Sequence, residues 1–360
     1  MDALQTAKRG LSLTSKLAFA LGGAMVALRL LRSRQAVDFH GRVVVISGGS
    51  RGLGLCIARE FAKEGAQLAL LARDEDELKT AQEQLEAMGA NVLTVVADVT
   101  DPHDDIAAIN RVLERFGSVD VLVNNAGIIQ VGPLEHMLDS DFKAAIDLHV
   151  WGPLRLSRAA LPYLKRSGQG RIVNIASSGG LIAMPHMAPY AVSKFGMVGL
   201  SDALRNELAK DKVKVTTVCP GPIRTGSHVA AKFKGQQAKE YKMFKIAAVI
   251  PGGSVNAVSA ARMIVDAARY GDPQLTFPLP IFWGSILYRL FPNVAGEFLG
   301  YITQFLPGPT PGDAGNKPLA GAALEAQVAT GKLTEAADKA AAQNNELGGD
   351  VLAQSAELDG

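Results

Sequence analysis

Tyr190 and Lys194 stand four residues apart in Tyr190-Ala191-Val192-Ser193-Lys194, a spacing that puts both side chains on one face of a helix. A nearby ammonium favours the phenolate, so this pair could pass a proton to and from an oxygen near neutral pH. Ser177, thirteen residues before Tyr190 and next to Ser178 and Gly179, adds a hydroxyl that could polarise the same oxygen. Taken singly, the three have plain structural readings as a helix-surface aromatic, a solvated charge and a turn residue. A second constellation far up the chain changes their weight. Ser47-Gly48-Gly49-Ser50-Arg51-Gly52-Leu53-Gly54 follows an apolar run of strand length and leads into an apolar helical pattern. Glycines there permit a tight turn and close backbone approach, while the free N–H groups and dipole of the following helix attract a phosphate.

The next strand ends Leu70-Leu71-Ala72-Arg73-Asp74. Ala72 takes the position where an acid would accept from a ribose 2′-hydroxyl, and Arg73 follows it. Arg51 in the glycine loop is a second guanidinium able to converge with Arg73 on a 2′-phosphate, which predicts NADP(H) over NAD(H). Asp74 could contact the ribose, although helix N-cap is its simpler role.

Positioning such groups requires regular alternation of strand and helix, and residues 41–272 show it. Apolar runs at 43–46, 68–71, 92–96, 119–123, 171–175 and 214–218 read as strands, with helical patterns after Gly52 and over 74–88. Strands apolar on both faces belong to a parallel sheet covered by helices on each side. The predicted architecture is α/β, a single doubly wound Rossmann domain over 38–275.

Over about residues 38–265 the chain resembles the short-chain dehydrogenase/reductase family. Ser47 to Gly54 looks like its T-G-x-x-x-G-x-G turn with Ser for Thr, and Asp98-Val99 like its adenine-contacting pair. Asn124-Asn125-Ala126-Gly127 resembles its N-N-A-G element, and Tyr190 to Lys194 its Y-x-x-x-K. Ser177 stands where the family's catalytic serine does, and Pro220-Gly221-Pro222-Ile223-Arg224-Thr225 fits the P-G-x-x-x-T segment beside the nicotinamide. The resemblance implies catalysis by Ser177, Tyr190 and Lys194. It implies cofactor contacts from Ser47, Gly48, Ser50, Arg51, Gly52, Leu53, Gly54, Arg73, Asp98, Val99, Asn125, Ala126, Gly127, Tyr190, Lys194, Pro220, Gly221, Ile223 and Thr225. One position departs from the pattern. Where the family has the Asn of V-N-x-x-G this chain has His149, which could replace it in a proton path because neutral imidazole both donates and accepts, or could close that path by charging. The resemblance also implies a homo-oligomer, and a substrate lid after Thr225, where five lysines from Lys232 to Lys245 alternate with apolar residues.

Composition limits the other readings. In 360 residues, 37 basic and 35 acidic side chains leave a net charge of +2, too little for nonspecific binding of nucleic acid. Cys56 and Cys219 lack the spacing of a zinc site or a disulfide framework and read as core residues. The histidines other than His149 show no ligand spacing, so no metal is expected. Residues 1–37 carry six basic side chains before Gln35 against Asp2 and an uncharged run over 17–28, with no A-x-A-like cleavage site after it. They read as a membrane anchor or membrane-lying helix. Residues 276–307 hold eight aromatics in two pieces bounded by prolines, 281–291 and 294–306, which could lie at a lipid surface or cover the core. Residues 308–360 are acidic and rich in Ala and Gly, a composition that predicts disorder. Together these features predict an NADP(H)-dependent oxidoreductase interconverting hydroxyl and carbonyl on a lipophilic alcohol or ketone at the cytoplasmic side of a membrane. The alternatives are a catalytically weak NADP-binding scaffold and a soluble cytoplasmic reductase of small polar carbonyls.

Overall fold

Seven short runs dominated by Val, Ile and Leu lie side by side: β1 Val43–Ser47, β2 Gln67–Ala72, β3 Asn91–Val96, β4 Val121–Asn124, β5 Arg171–Ile175, β6 Lys214–Pro220 and β7 Gln274–Phe277. The computed structural model describes residues 32–248, 252–325 and 335–346. All neighbouring pairs in this sheet are parallel, in the order β3-β2-β1-β4-β5-β6-β7. Register aligns Ser47 with Leu71 on one side and Asn124 on the other, and Asn124 with Asn174, so the carboxyl ends of β1, β4 and β5 open at one edge. The reversal of strand order lies between β1 and β4, the position at which doubly wound sheets form a binding crevice.

Among the described residues eleven α-helices have eight residues or more: α1 Gly52–Lys63, α2 Glu75–Glu86, α3 Pro102–Phe116, α4 Asp139–Ile146, α5 Gly152–Arg166, α6 Ala188–Leu208, α7 Gln237–Ala247, α8 Ala257–Tyr270, α9 Leu279–Leu290, α10 Pro292–Thr303 and α11 Glu335–Gln343. Alternation along β1 shows why both faces are covered. Val44 and Ile46 pack with Leu55, Ile57 and Phe61 of α1, Leu78 and Leu85 of α2, and Ile264 of α8. Val43 and Val45 face the opposite layer, with Ile109 and Val112 of α3 and Leu156 and Leu164 of α5. Asp74 caps α2 by accepting from the Glu77 N–H at 2.8 Å, which is its N-cap role.

The six predicted strands are present, and a seventh is added. β7 spans four residues between Pro273 and Pro278 at the sheet edge, too short to show a period. The aromatic stretch forms α9 and α10, with Trp283, Phe291, Phe298, Tyr301 and Phe305 all more than half exposed. Among the described residues no helix is long and apolar enough to cross a membrane. The apolar run over 17–28 lies outside the described residues, as do 249–251 of the lid and 326–334 and 347–360 of the tail.

Expected disorder over 308–360 is corrected for the described part. Leu319–Ala320 pairs antiparallel with Lys232–Phe233, the helical turn Gly321–Glu325 buries Leu324 against Phe233 and Tyr241, and Ala341 of α11 packs on Val229. These few apolar residues find partners about 80 to 110 positions away, contacts that local composition cannot register. In the lysine-rich segment, Lys232, Lys239 and Lys242 are exposed and two lysines are not. Lys234 is buried in a 2.5 Å ion pair with Asp141, and buried Lys245 pairs with Glu325, so neither presents its charge to an outside anion.

Arg171 shows how the far end of the sheet is closed. Its buried guanidinium donates to the carbonyls of Ala268 (2.8 Å) and Arg269 (3.3 Å) at the end of α8, and to those of Gln35 (2.7 Å) and Gln169 (3.1 Å). Arg171→Met leaves these acceptors unsatisfied and is expected to lower unfolding free energy by about 3 kcal/mol, read as a shifted urea midpoint with unchanged slope.

Candidate active site

Gly48 has φ 63° and Gly52 φ 56°, left-handed values that let the chain turn directly from β1 into α1. A Cβ on Gly54 would strike the Gly48 carbonyl, so the helix packs closer to the strand than any other residue would permit. Ser47 ties this turn to the loop after β4, its Oγ accepting from the N–H groups of Asn125 at 3.0 Å and Ala126 at 3.2 Å. Asn125 returns two bonds, from Nδ2 to the carbonyls of Ser47 (3.1 Å) and Gly48 (2.9 Å).

Ser177 follows β5, and its Oγ accepts from the Gly179 N–H at 3.0 Å. Gly179 lets the Tyr190 ring lie against this turn: a Cβ there would sit 2.9 Å from Tyr190 Cε1. The Tyr190 ring and the Ser177 hydroxyl thus lie on the same side of Gly179, close enough for Ser177 to act on the phenol. One turn along α6, Lys194 Nζ donates to the Ile175 carbonyl at 2.9 Å and lies 5.7 Å from the centre of the Tyr190 ring. The absent Cβ of Gly127 would be 3.7 Å from Lys194 Nζ, while that of Gly48 would be 2.9 Å from Ala126 Cα. The glycine turn, Ala126-Gly127, Lys194 and Tyr190 therefore form one continuous contact path across the carboxyl ends of β1, β4 and β5.

Burial governs the electrostatics. It pushes the Tyr190 phenol up, with the Ser177 hydrogen bond as a smaller opposing effect, and pulls the Lys194 ammonium down to about 7. The expected lowering of the phenol by Lys194 is not found in this structure, because desolvation of a phenolate outweighs an ammonium that is itself only part-charged at neutral pH.

His149 lies fully buried in the π-helical turn Asp147–Trp151 between α4 and α5. Its Nε2 accepts from the Ile128 N–H at 3.1 Å, which places the ring proton on Nδ1. Nδ1 lies 2.8 Å from Ser193 Oγ, which donates to the Tyr190 carbonyl at 2.9 Å. Burial first, then the Lys194 charge, hold His149 well below 6.5 and neutral. Its ring stands edge-on to Tyr190 at 5.7 Å, bracing the first turn of α6. Ser193 lies inside the Y-x-x-x-K stretch, yet its partnership with His149 is invisible in spacing because the two are 44 positions apart.

On the other side of the glycine turn, Arg51 Nη1 donates to Glu77 Oε1 at 2.7 Å, and Ser50 Oγ donates to Oε2 at 2.9 Å. Glu77 was legible only as a first-turn acid of α2; the structure makes it the carboxylate that aims Arg51. Arg73 is exposed next to the Asp74 cap. The Asp98 carboxylate accepts from the Thr100 N–H at 2.9 Å, and the Val99 carbonyl accepts from Arg155 at 2.9 Å. Leu53 is half-buried on α1. Pro220 ends β6, the Gly221 N–H donates to the Phe277 carbonyl at 2.7 Å, Ile223 pairs with Val255, and Thr225 is buried. Cys56 and Cys219 are free and buried, and burial pushes Cys219 up to about 12, so neither is a reactive thiolate.

Sequence pattern gave no sign of one further element at this site. After α11 the chain crosses the glycine turn: the Asn344 carbonyl accepts from the Gly52 N–H at 2.7 Å, and the Glu346 carboxylate lies 3.7 Å from Arg51 Nε. A Cβ on Gly52 would overlap that carboxylate. A carboxyl group therefore stands at the start of α1, where the free N–H groups of a glycine turn would take a phosphate.

The short chain dehydrogenase sequence profile matches residues 42–235. The chain belongs to the short-chain dehydrogenase family. It is 34% identical over 292 residues to 11-beta-hydroxysteroid dehydrogenase A of Sesamum indicum, covering 79% of this chain and 81% of that protein. An uncharacterized oxidoreductase of Thermotoga maritima is 34% identical over 215 residues, 60% of this chain and 84% of the relative. Among solved structures, L-sorbose reductase from Gluconobacter frateurii, complexed with NADPH and L-sorbose, superposes with TM-score 0.61 at 30% identity, over 67% of this chain and 97% of that one. This short-chain dehydrogenase is an oxidoreductase acting between CH–OH and C=O with a nicotinamide cofactor, NAD(H) or NADP(H).

Burying Lys194 has a measurable cost. Between about 7 and its ordinary 10.5 the unfolded chain holds more protons on this group, so its contribution makes stability rise with pH across that window. Lys194→Met is expected to abolish turnover, raise the thermal midpoint by several degrees at pH 7 and remove that part of the pH slope, as measured by calorimetry from pH 7 to 10.

Proposed function

We propose that this enzyme is an NADP(H)-dependent dehydrogenase/reductase of a lipophilic alcohol or ketone, working at an apolar surface. The observation that carries the reading is the contact path joining Ser177, Tyr190 and Lys194 to the glycine turn. A bound nicotinamide supplies the hydride. Tyr190 gives its proton to the carbonyl oxygen in reduction and takes it back in oxidation, and Ser177 donates to the same oxygen. Burial raises the phenol and so holds it in the acid form that can give this proton. Lys194 recharges Tyr190, and His149 with Ser193 fixes the turn that presents it. Arg51, aimed by Glu77, and exposed Arg73 are the cations for a 2′-phosphate. The NADPH in the related sorbose reductase supports that choice.

Support for a lipophilic substrate comes from α9. A Cβ on Gly221 would lie 2.7 Å from Ile281 and one on Gly284 would lie 3.8 Å from Ile182 Cδ1, so α9 abuts both the nicotinamide-side loop and the loop after Ser177. Its outer surface exposes Leu279, Trp283, Leu287 and Leu290, continued on α10 by Val294, Phe298 and Tyr301. Such a patch beside the cleft suits a lipid surface from which an apolar substrate enters. The sesame hydroxysteroid dehydrogenase agrees with this class. Trp151, Val192 and Phe195 are exposed near and along α6, an apolar face for pairing with a second copy.

A panel of steroid, retinoid and long-chain ketones assayed with NADPH and NADH in parallel is expected to show turnover favouring NADPH. Tyr190→Phe should lower kcat by about 10³-fold while leaving NADPH binding intact. Undiminished turnover in that variant, or activity confined to small polar carbonyls, would defeat the corresponding half of the reading. Trp283→Glu with Phe298→Glu should reduce sedimentation with phosphatidylcholine vesicles and leave the fold's thermal midpoint within a few degrees.

A further inference from the structure

The segment that crosses the glycine turn uses the atoms a dinucleotide needs. The Asn344 carbonyl takes the Gly52 N–H, Asn345 Nδ2 donates to the Ser50 carbonyl at 3.3 Å, and Asn344 Nδ2 donates to the Thr225 carbonyl at 3.4 Å. The segment is held from three elements. Cys56 Sγ (3.1 Å) and Arg59 Nη1 (3.2 Å) of α1 donate to Asn344 Oδ1, and Gln84 of α2 donates to Asn345 Oδ1 at 3.0 Å. Ala341, 1% exposed, seats α11 beside Gly226, where a Cβ would lie 2.5 Å from Ala341 Cα. Asn344 and Glu346 are each 5% exposed. Contacts of this number, reaching from the phosphate end of the crevice to Thr225, are those of a docked ligand.

We propose that residues 341–346 are an autoinhibitory tail, a tethered competitor whose Asn344 backbone and Glu346 carboxylate occupy the pyrophosphate seat and must leave before the dinucleotide enters. The inference rests on the reading of the glycine turn as the dinucleotide seat. A strap that closed over bound cofactor would contact its outer face and leave the Gly52 N–H and Arg51 free; this segment takes both. Tethering gives even a weak segment a high effective concentration, so the apparent affinity for cofactor is reduced by the fraction of molecules with the tail docked.

Acidity modulates the competition. Glu346 faces Arg51 from the glycine turn, Glu77 from α2 and Cys56 from α1, and Arg59 of α1 holds the neighbouring Asn344. Burial pushes its carboxyl up to about 7, with Arg51 opposing and Glu77 adding to the rise. The docked tail thus holds a proton that the free tail releases above about 4.5, so docking weakens as pH rises from there towards 7.

The test is an NADPH titration by nicotinamide fluorescence on the full chain, on Ala341→Arg, which unseats α11 without touching the cradle, and on a chain ending at residue 334. Circular dichroism and a cooperative thermal transition certify each as folded. Both changes are expected to tighten NADPH binding roughly tenfold at pH 6, with the advantage shrinking by pH 8. The proposal is overturned if either folded variant binds NADPH no more tightly than the full chain at every pH, and a weaker binding would mark the tail as a strap. Absence of NADPH and NADH binding in all three would instead remove the dinucleotide seat, and with it the proposed function.

Discussion

A buried ladder of side-chain hydrogen bonds holds α6 to the sheet. Asn124 Nδ2 at the end of β4 donates to Asn174 Oδ1 on β5 at 2.7 Å, and Asn174 Nδ2 donates to Ser201 Oγ on α6 at 2.8 Å. All three residues are at most 1% exposed, so each bond forms where an unmet polar group would cost the most. Because Asn124 and Asn174 are register partners, the ladder also fixes how β4 and β5 align. Asn124 is followed by the Asn125 loop that grips the glycine turn, and Ser201 lies two turns beyond Lys194. The distance between the glycine turn and the Tyr190–Lys194 pair is therefore set by three side chains that belong to neither.

This rigidity lets burial act on the acid–base groups. A solvated Tyr and Lys four residues apart would each sit near its ordinary value. Under the ladder, Tyr190 rises and Lys194 falls to about 7, which moves their proton affinities apart: the phenol keeps its proton at neutral pH, and a part-charged ammonium beside it gives a proton to a phenolate downhill. His149, held neutral by the same burial, adds no charge that would oppose Lys194. A histidine in this position is tolerated because Ile128 and Ser193 satisfy both of its nitrogens.

Much of this was readable in the sequence because its signals are local. Ser47 to Gly54, Tyr190 to Lys194 and the strands of β1 to β6 each announce themselves within a dozen residues through glycine placement, helical spacing or an apolar run. The missed features are pairings across long separations. Glu77 with Arg51, Ser193 with His149, Lys234 with Asp141 and the segment 341–346 with Gly52 join residues 26 to about 290 positions apart. The tail misled for a related reason: its composition is that of a chain with too little apolar surface to order itself, and its order is borrowed from a surface built by other elements.

The parts of the chain outside the family's matched region bear on both ends of the same crevice. Beyond residue 235, α9 places Ile281 against Gly221 and Gly284 against Ile182, at the substrate end. The tail places Asn344 on Gly52 and Thr225, at the cofactor end and along its length. Gly221 and Thr225 belong to the five-residue segment that follows β6, so both additions press on the same loop from different sides. A shift of that loop that eased the tail's hold on Thr225 would also alter the packing of α9 on Gly221. The segment Pro220 to Thr225 is thus packed from two sides by chain outside the matched region, contacts that the shared sheet alone would not provide.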